Sequence, residues 1–485
     1  MAIHANYAAI IYKKALTNQD RYSSPFKILT LRFIMSSNNS MNLKIDTGNR
    51  QILRIALPIS ASIIVPQLNF ITNNIFLGGL GQKQLGIAGI TGVYYLLFAV
   101  VGNGLNNGLQ ALISRRAGEN RIDEIGTLFW HGVRIAMVFA FLGILLTWLV
   151  APMVLKWSLH DEEGIQMAIH FLYIRILGLP ILYIYQMRNA LLVGINQSKL
   201  LILGTASEAV VNVFFDYGFI YGKMGMPNLG FNGAAYASII AEFAGLFAVF
   251  LVIRFNGISK KMQIFKKVTY QKAYTQLILT QSYPLILQHL ISIMSWEYFY
   301  ILIEHHGARD LAISNTMRNL FGFFGCFTWA FAATTNTMVS NVIGQDKKEA
   351  VMPLIYRILK WSIGFAVVVF IFLNLFPRAF LGIYGQGEDF ITAGIPVLRI
   401  VSFAMILMSV AVVWVSAVTG TGNSKMNLYT EIATIVFYML YVYIVLEKMN
   451  LSITWGWGSE WLYWAIMFIP SFWYMKSDKW KKMNI

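Results

Sequence analysis

The chain of 485 residues has one cysteine, Cys326, so it can form no intramolecular disulfide and no cysteine-built zinc cluster. Histidine is scarce too, and its seven residues form neither an H-E-x-x-H motif nor an intramembrane pair. An enzyme working inside a bilayer needs a nucleophile–base pair or a bound metal, and this composition argues against both. Charge is the third shortage. Asp, Glu, Lys and Arg make up 12% of the chain, where soluble domains carry about 25%. Hydrophobic residues fill the space at 57%, more than a soluble fold of this length can hide, so lipid must solvate much of the surface. Runs such as 135–155 and 361–376 approach or exceed the ~20 residues that cross a bilayer.

The net charge of +16 does not point to nucleic acid, because no basic, aromatic-interleaved soluble module is present. Basic residues gather instead between apolar segments: Arg115, Arg116 and Arg121; Lys260, Lys261, Lys266, Lys267 and Lys272; Lys347 and Lys348; Lys476, Lys479, Lys481 and Lys482. The opposite connectors are poorer in them, as at 156–164 with Asp161, Glu162 and Glu163. By the positive-inside rule both termini and the central linker are expected to be cytoplasmic, in an inner cell membrane. Residues 1–50 are polar and lack an h-region with a cleavage site, so they read as a disordered extension, with Met35 or Met41 as alternative starts.

Shifting the chain by 226 residues brings its punctuation into register. Pro58 falls on Pro284, Gly81 on Gly307, Ser114 on Ser340, Gly118 on Gly344, Gly194 on Gly420, and Ser198-Lys199 on Ser424-Lys425. This is an internal duplication. Six spans are expected in each copy: 52–77, 85–113, 127–155, 165–193, 200–222 and 231–254, then 278–304, 311–341, 354–376, 391–419, 427–447 and 453–475. An even number per copy makes the repeat parallel. The expected fold is thus an all-α polytopic membrane protein. An N-lobe over 51–254 and a C-lobe over 278–475 are joined by a basic linker over 255–277, with a basic tail over 476–485.

Polar residues inside spans are costly and therefore informative. On span five Glu208, Asn212 and Asp216 recur every four residues on one helical face. An amide and a carboxylate one turn apart suit a hard cation such as sodium, or a carried proton; they also suit a hydrogen-bonded packing cluster. Span six adds Ser238, a further candidate for cation coupling, and Glu242, which with Glu208 and Glu297 is a candidate for lining a cavity or contacting substrate. Span one adds Gln67, Asn69 and Asn73, which point to a cavity wall, and Pro66, which is either a hinge or a fixed kink. In the second copy Asn73, Asn212 and Asp216 become Phe299, Tyr438 and Val442, and Glu297 is the main acid expected there. His289, alone on an apolar face, reads as a core histidine.

Over about residues 50–475 the chain resembles the multidrug and toxic compound extrusion (MATE) family. The resemblance is carried by NNIFLGGLG, ALISRRAGENRIDE, GINQSKLLILGTASEAVVNVFFDYGFI, NLGFNGAAYAS and GTGNSKMNLYTE. It implies two six-helix bundles in a V that opens alternately to either side, exporting cationic or amphipathic compounds against sodium ions or protons. The family's N-x-x-x-D pair on the fifth span is matched by Asn212 and Asp216, and its sixth-span threonine by Ser238. A first-span carboxylate is replaced by Asn73 or Asn74, and acids on the seventh and tenth spans by Ser292 and Val410. Coupling is then expected to rest on the first lobe alone, in a monomer with no cofactor beyond the coupling ion. The alternative is a flippase for a lipid-linked precursor on the same scaffold, with Arg134, Arg175, Arg188 and Arg318 lining its cavity.

Overall fold

The computed structural model describes residues 42–483 apart from 160 and 267, and among these the regular structure is helical, without strands. Ten helices are long and apolar enough to cross a membrane. They are α1 (Asn49–Gly78), α2 (Lys83–Gly118), α3 (Ile122–Trp157), α4 (Glu162–Gly194), α5 (Ser198–Tyr221), α6 (Phe231–Phe255), α7 (Lys272–Glu304), α9 (Lys348–Leu375), α10 (Glu388–Thr421) and α11 (Ser424–Lys448). Helices α8 (Ala308–Gly344) and α12 (Ser459–Lys476) stand where the eighth and twelfth spans were expected. Rows of Asn and Thr in α8, and of Trp and Tyr in α12, make them less apolar than the rest. Helix α1 runs unbroken through Pro58 and Pro66, so the expected hinge at Pro66 is not a break in this conformation.

The duplication extends to backbone conformation. Left-handed φ angles recur at matched positions: Gly81 (135°) and Gly307 (102°), Asn120 (62°) and Asp346 (61°), Asn196 (62°) and Gly422 (100°), Met224 (57°) and Asn450 (47°). Such angles mark helix ends that L-residues rarely make without a turn to satisfy. The two copies therefore turn their corners alike.

The lobes meet where α2 packs on α7 and α8 and α1 packs on α8, and the hydrogen bonds across the α2–α8 seam are reciprocal. Ser114 Oγ donates to the Thr337 carbonyl at 2.7 Å while Ser340 Oγ donates to Ala111 at 2.6 Å. Gln110 Nε2 donates to Ala333 at 2.9 Å while Asn336 Nδ2 donates to Asn107 at 3.0 Å. Each pair maps onto the other under the 226-residue shift. Gly118 and Gly344 allow the approach: a Cβ there would stand 2.1 Å from the Asn341 carbonyl oxygen and 2.4 Å from that of Arg115. Among the described residues, the hydrogen bonds between α2 and α8 all fall within 107–114 and 333–341.

One buried core, running from Ile52 and Leu109 through Phe331 to Trp414, spans both lobes at the end of the bundle that carries the linker. Toward the opposite end the core splits. Leu77, Ile87, Leu155 and Phe231 belong to a first-lobe cluster, and Phe299, Ile313, Tyr438 and Trp457 to a second-lobe one. The lobes are thus joined at the linker end and separate at the other. Gln67, expected on a cavity wall, is half-buried and turned toward α8, its Oε1 3.8 Å from where a Cβ on Gly322 would stand.

One expectation about the connections needs correction. Residues 42–50 are not a disordered extension, because the second lobe holds them. Ile45 N donates to Asn341 Oδ1 at 2.9 Å, Gln345 Nε2 to the Ile45 carbonyl at 2.9 Å and Arg357 Nη1 to that of Thr47 at 3.1 Å. Residues 1–41 lie outside the described residues. The linker packs onto the fold: Ile258, Met262 and Ile264 are buried, and His131 Nε2 accepts from Gln271 N at 3.0 Å. At the far end Asp161 caps α4 through Gly164 N at 3.0 Å, and Lys83 beside it holds the Asp161 carboxyl below its usual range.

Gly118→Ala should therefore destabilise the closed seam by about 1–3 kcal/mol, the cost of overpacking a filled interface. Thermal unfolding of the detergent-purified protein should show a lowered midpoint for it. Gly86→Ala should show none, because nothing lies within 4 Å of a Cβ there.

Candidate functional site

Helix α6 presents Gly233, Ala234, Ala237, Ala241 and Gly245 as a stripe of small residues, and α5 answers with Gly204. Small residues let helix backbones approach closely within lipid. A Cβ on Gly233 would stand 2.7 Å from the Phe219 carbonyl carbon, and one on Gly245 would stand 3.0 Å from the Gly204 oxygen. This close packing buries the polar face of α5, leaving Asn212 3% exposed and Asp216 fully buried.

Both Asp216 carboxylate oxygens lack a hydrogen-bond partner, and no Lys, Arg or His pairs with it among the described residues. Asn212 Nδ2, Asn73 Oδ1 and Asn232 Oδ1 are likewise buried and unpartnered. The register of the helices brings these groups to one level. Phe76 of α1 packs on Tyr217 and Tyr221 of α5, with centroids 6.5 and 6.1 Å apart, which sets Asn73 one turn before it beside the turn holding Asp216. The repeat agrees: Phe299 and Tyr438, the counterparts of Asn73 and Asn212, pack at 6.2 Å. Ser238 is half-buried on α6, whose Gly233 is fixed against Phe219 one turn beyond Asp216. Asn69 is half-buried on α1.

An unpartnered buried polar group costs about 1–3 kcal/mol, and an unpaired buried charge several. A buried carboxylate with both oxygens unpartnered is the arrangement in which a proton or a bare cation removes that cost.

Glu242 does not line a cavity, contrary to expectation. It is a buried partner of Arg175, which reaches it through Nη2 at 2.5 Å and Nη1 at 3.2 Å and lies 4.0 Å from the Tyr95 ring centroid. Glu208 belongs to this same polar layer, packed against Gly245 beside Arg188. Glu297 is half-buried near Arg318. His289 turns its Nδ1 to its own helix, 2.5 Å from the Leu285 carbonyl.

The arginines do not assemble into a basic cavity wall. Arg188 stacks 3.7 Å from the Tyr185 centroid and Arg318 sits 5.1 Å from that of Tyr300, while Arg134 donates to the linker carbonyl of Val268. Residue-by-residue reading missed two acids. Glu431 on α11 and Glu460 on α12 are both buried in the second lobe. Their matched first-lobe positions, Thr205 and Ala234, carry no charge, so comparing the copies gave no signal. Asn232 was also missed, although it lies within the NLGFNGAAYAS stretch.

A family model described as MatE matches residues 58–218 and again 284–444, at the offset of the internal repeat. The chain belongs to the MatE family. Among curated relatives, a protein named "Probable multidrug resistance protein NorM" from Synechocystis is 23% identical over 76% of this chain and 81% of its own length. One of the same name from Thermotoga maritima is 22% identical over 81% and 84%. A MOP superfamily transporter from Pyrococcus furiosus shares the fold at TM-score 0.83 and 17% identity, covering 92% of this chain and all of its own. A MATE transporter described as outward-facing shares it at TM-score 0.80, 17% identity and coverages of 91% and 98%. This MatE protein is therefore a multi-pass membrane protein of a transporter family.

The two first-lobe acids should respond oppositely to neutralisation. Glu242→Gln leaves Arg175 buried without its partner and should cost about 3–5 kcal/mol. Asp216→Asn removes no partnered interaction and should leave the thermal midpoint, measured without sodium, unchanged or raised. A lowered midpoint for Asp216→Asn would mean that its carboxylate already has a structural partner.

Proposed function

We propose that this MatE protein exports cationic or amphipathic organic compounds in exchange for a cation bound at Asp216. The single observation carrying this reading is the fully buried carboxylate with two unpartnered oxygens. The acceptor oxygen of Asn73, at the same level on α1, favours sodium, since a hard cation is held by carboxylate and amide oxygens. The hydroxyl of Ser238 on α6 is one further oxygen donor. Support for the substrate class comes from relatives named as probable multidrug resistance proteins. One chain supplies both lobes, so the cycle requires no second copy.

The linker end, with its arginines and lysines, is taken as cytoplasmic by the positive-inside rule, with both termini inside and the end where each lobe has its own core outside. In the proposed cycle a cation reaches Asp216 from the external side. Its charge offsets the carboxylate, which lowers the cost of packing α1 and α5 more closely and so of closing the outer end. Bound compound leaves outward as the cation binds, before this closure; closure is then matched by parting of the α2–α8 seam, which exposes the cation site inward in the next half-cycle. The site acts by differential affinity between the two states, the only way a ligand shifts such an equilibrium.

Transport of a fluorescent cationic dye by the reconstituted protein tests this reading under a sodium gradient and, separately, a proton gradient. The sodium gradient should drive dye movement, and Asp216→Asn should reduce it at least tenfold, a loss of ~1.4 kcal/mol or more of coupling. Undiminished gradient-driven transport by Asp216→Asn would sink the coupling role.

A further inference from the structure

The second lobe contains a buried carboxylate whose surroundings differ in kind from those of Asp216. Glu431 is fully buried on α11. Its Oε1 accepts from the Tyr463 hydroxyl at 2.8 Å and its Oε2 from Gln288 Nε2 at 3.2 Å. Ser292 Oγ lies 3.3 Å from the Tyr463 oxygen. No Lys, Arg or His forms an ion pair with Glu431 among the described residues. One turn outward, Glu460 is buried as well and accepts from Trp464 Nε1 at 3.0 Å. Beside it the hydroxyls of Tyr438 and Ser459 are buried without partners.

We propose that Glu431 is a proton-binding site of the second lobe, positioned by Tyr463 and Gln288 and distinct from the cation site at Asp216. The donor set decides between a proton and a metal ion. Tyr463 and Gln288 both direct hydrogens at the carboxylate, occupying the lone pairs a sodium ion would need and presenting positive hydrogens to it. A proton needs only one oxygen. On loading, Oε1 takes one proton, and the resulting acid O–H donates to the Tyr463 oxygen. On release the same proton returns to water, and no other group changes charge.

The facing groups leave Glu431 as the place where a proton would rest. Helix α7 presents Gln288 and Ser292, while His289 is turned to Leu285. Helix α12 presents Tyr463 and, further out, Glu460. Helix α10 meets α11 through the Val415 carbonyl and Thr419, both on Asn427, and brings no titratable group there. Lys425 on α11 is exposed. The unpartnered hydroxyls of Tyr438 and Ser459 are places for water on the outer approach.

The test uses the full-length protein in phosphatidylethanolamine–phosphatidylglycerol vesicles. On an Asp216→Asn background, infrared difference spectra between acidic and alkaline buffer should show a protonated-carboxyl band. That band should vanish in Glu431→Gln, whose amide oxygen still accepts from Tyr463, and change frequency in Tyr463→Phe, which keeps the acid. Spectra identical to the parent in both variants would overturn the proposal. With Asp216 intact, Glu431→Gln should reduce proton-gradient-driven dye transport about tenfold and preserve the sodium-driven component. Equal loss of both components would mean a purely structural role and would also overturn it. This transport arm rests on the export reading, whereas the infrared arm does not. Wild-type protein that moves no dye under either gradient would therefore count against export alone.

Discussion

The structure depends on one close approach, that of α2 to α8 at Gly118 and Gly344. A Cβ at either position would collide with the partner helix's carbonyl oxygen, so only glycine lets the backbones come near enough for Ser114, Ser340, Gln110 and Asn336 to reach across. Lipid supplies no hydrophobic drive for helices to associate, and what remains is packing and hydrogen bonding between them. Both are concentrated at this seam. It joins the lobes into one core at the linker end and leaves each lobe its own core beyond it. A seam of short polar contacts around a glycine approach is also one that can part, because each bond contributes only about 1 kcal/mol and its groups can find water when exposed.

Much of this was legible in the sequence because duplication writes the same punctuation twice. The 226-residue shift alone pairs Gly118 with Gly344 and Ser114 with Ser340. The matched left-handed corners explain why: a residue pair such as Asn120 and Asp346 holds the same φ, 62° and 61°, and few side chains tolerate it. The face of α5 was legible too, since three polar residues at four-residue spacing inside an apolar helix share one face, and lipid would not tolerate that face.

What the sequence could not resolve was which buried charges satisfy one another. Glu242 sits four residues from Ser238 and looks like part of a site, yet Arg175 on α4 consumes it. That pairing crosses 67 residues and follows no local spacing. Glu431 is hidden for a related reason. Its meaning lies in Tyr463 and Gln288, on two other helices, and its matched position in the first copy is a threonine. The ordered segment at 42–50 looks disordered in sequence because its few apolar residues, Leu43 and Ile45, become buried only against the other lobe.

The asymmetry between the lobes follows from this arrangement. At the level where the first lobe holds Asn73, Asn212 and Asp216, the second packs Phe299, Tyr438 and Val442, with Phe299 also 5.3 Å from Trp457. That layer packs ring on ring, whereas the first-lobe layer holds a buried carboxylate with both oxygens unpartnered. A scaffold whose halves respond differently to the same cation can bend in one lobe while the other serves as a rigid reference. Helix α1 packs both on α5 and, through Gln67, toward α8, so it links the level of Asp216 to the second lobe. The duplication thus repeats the scaffold and its seam, while the buried polar groups differ in kind between the two halves.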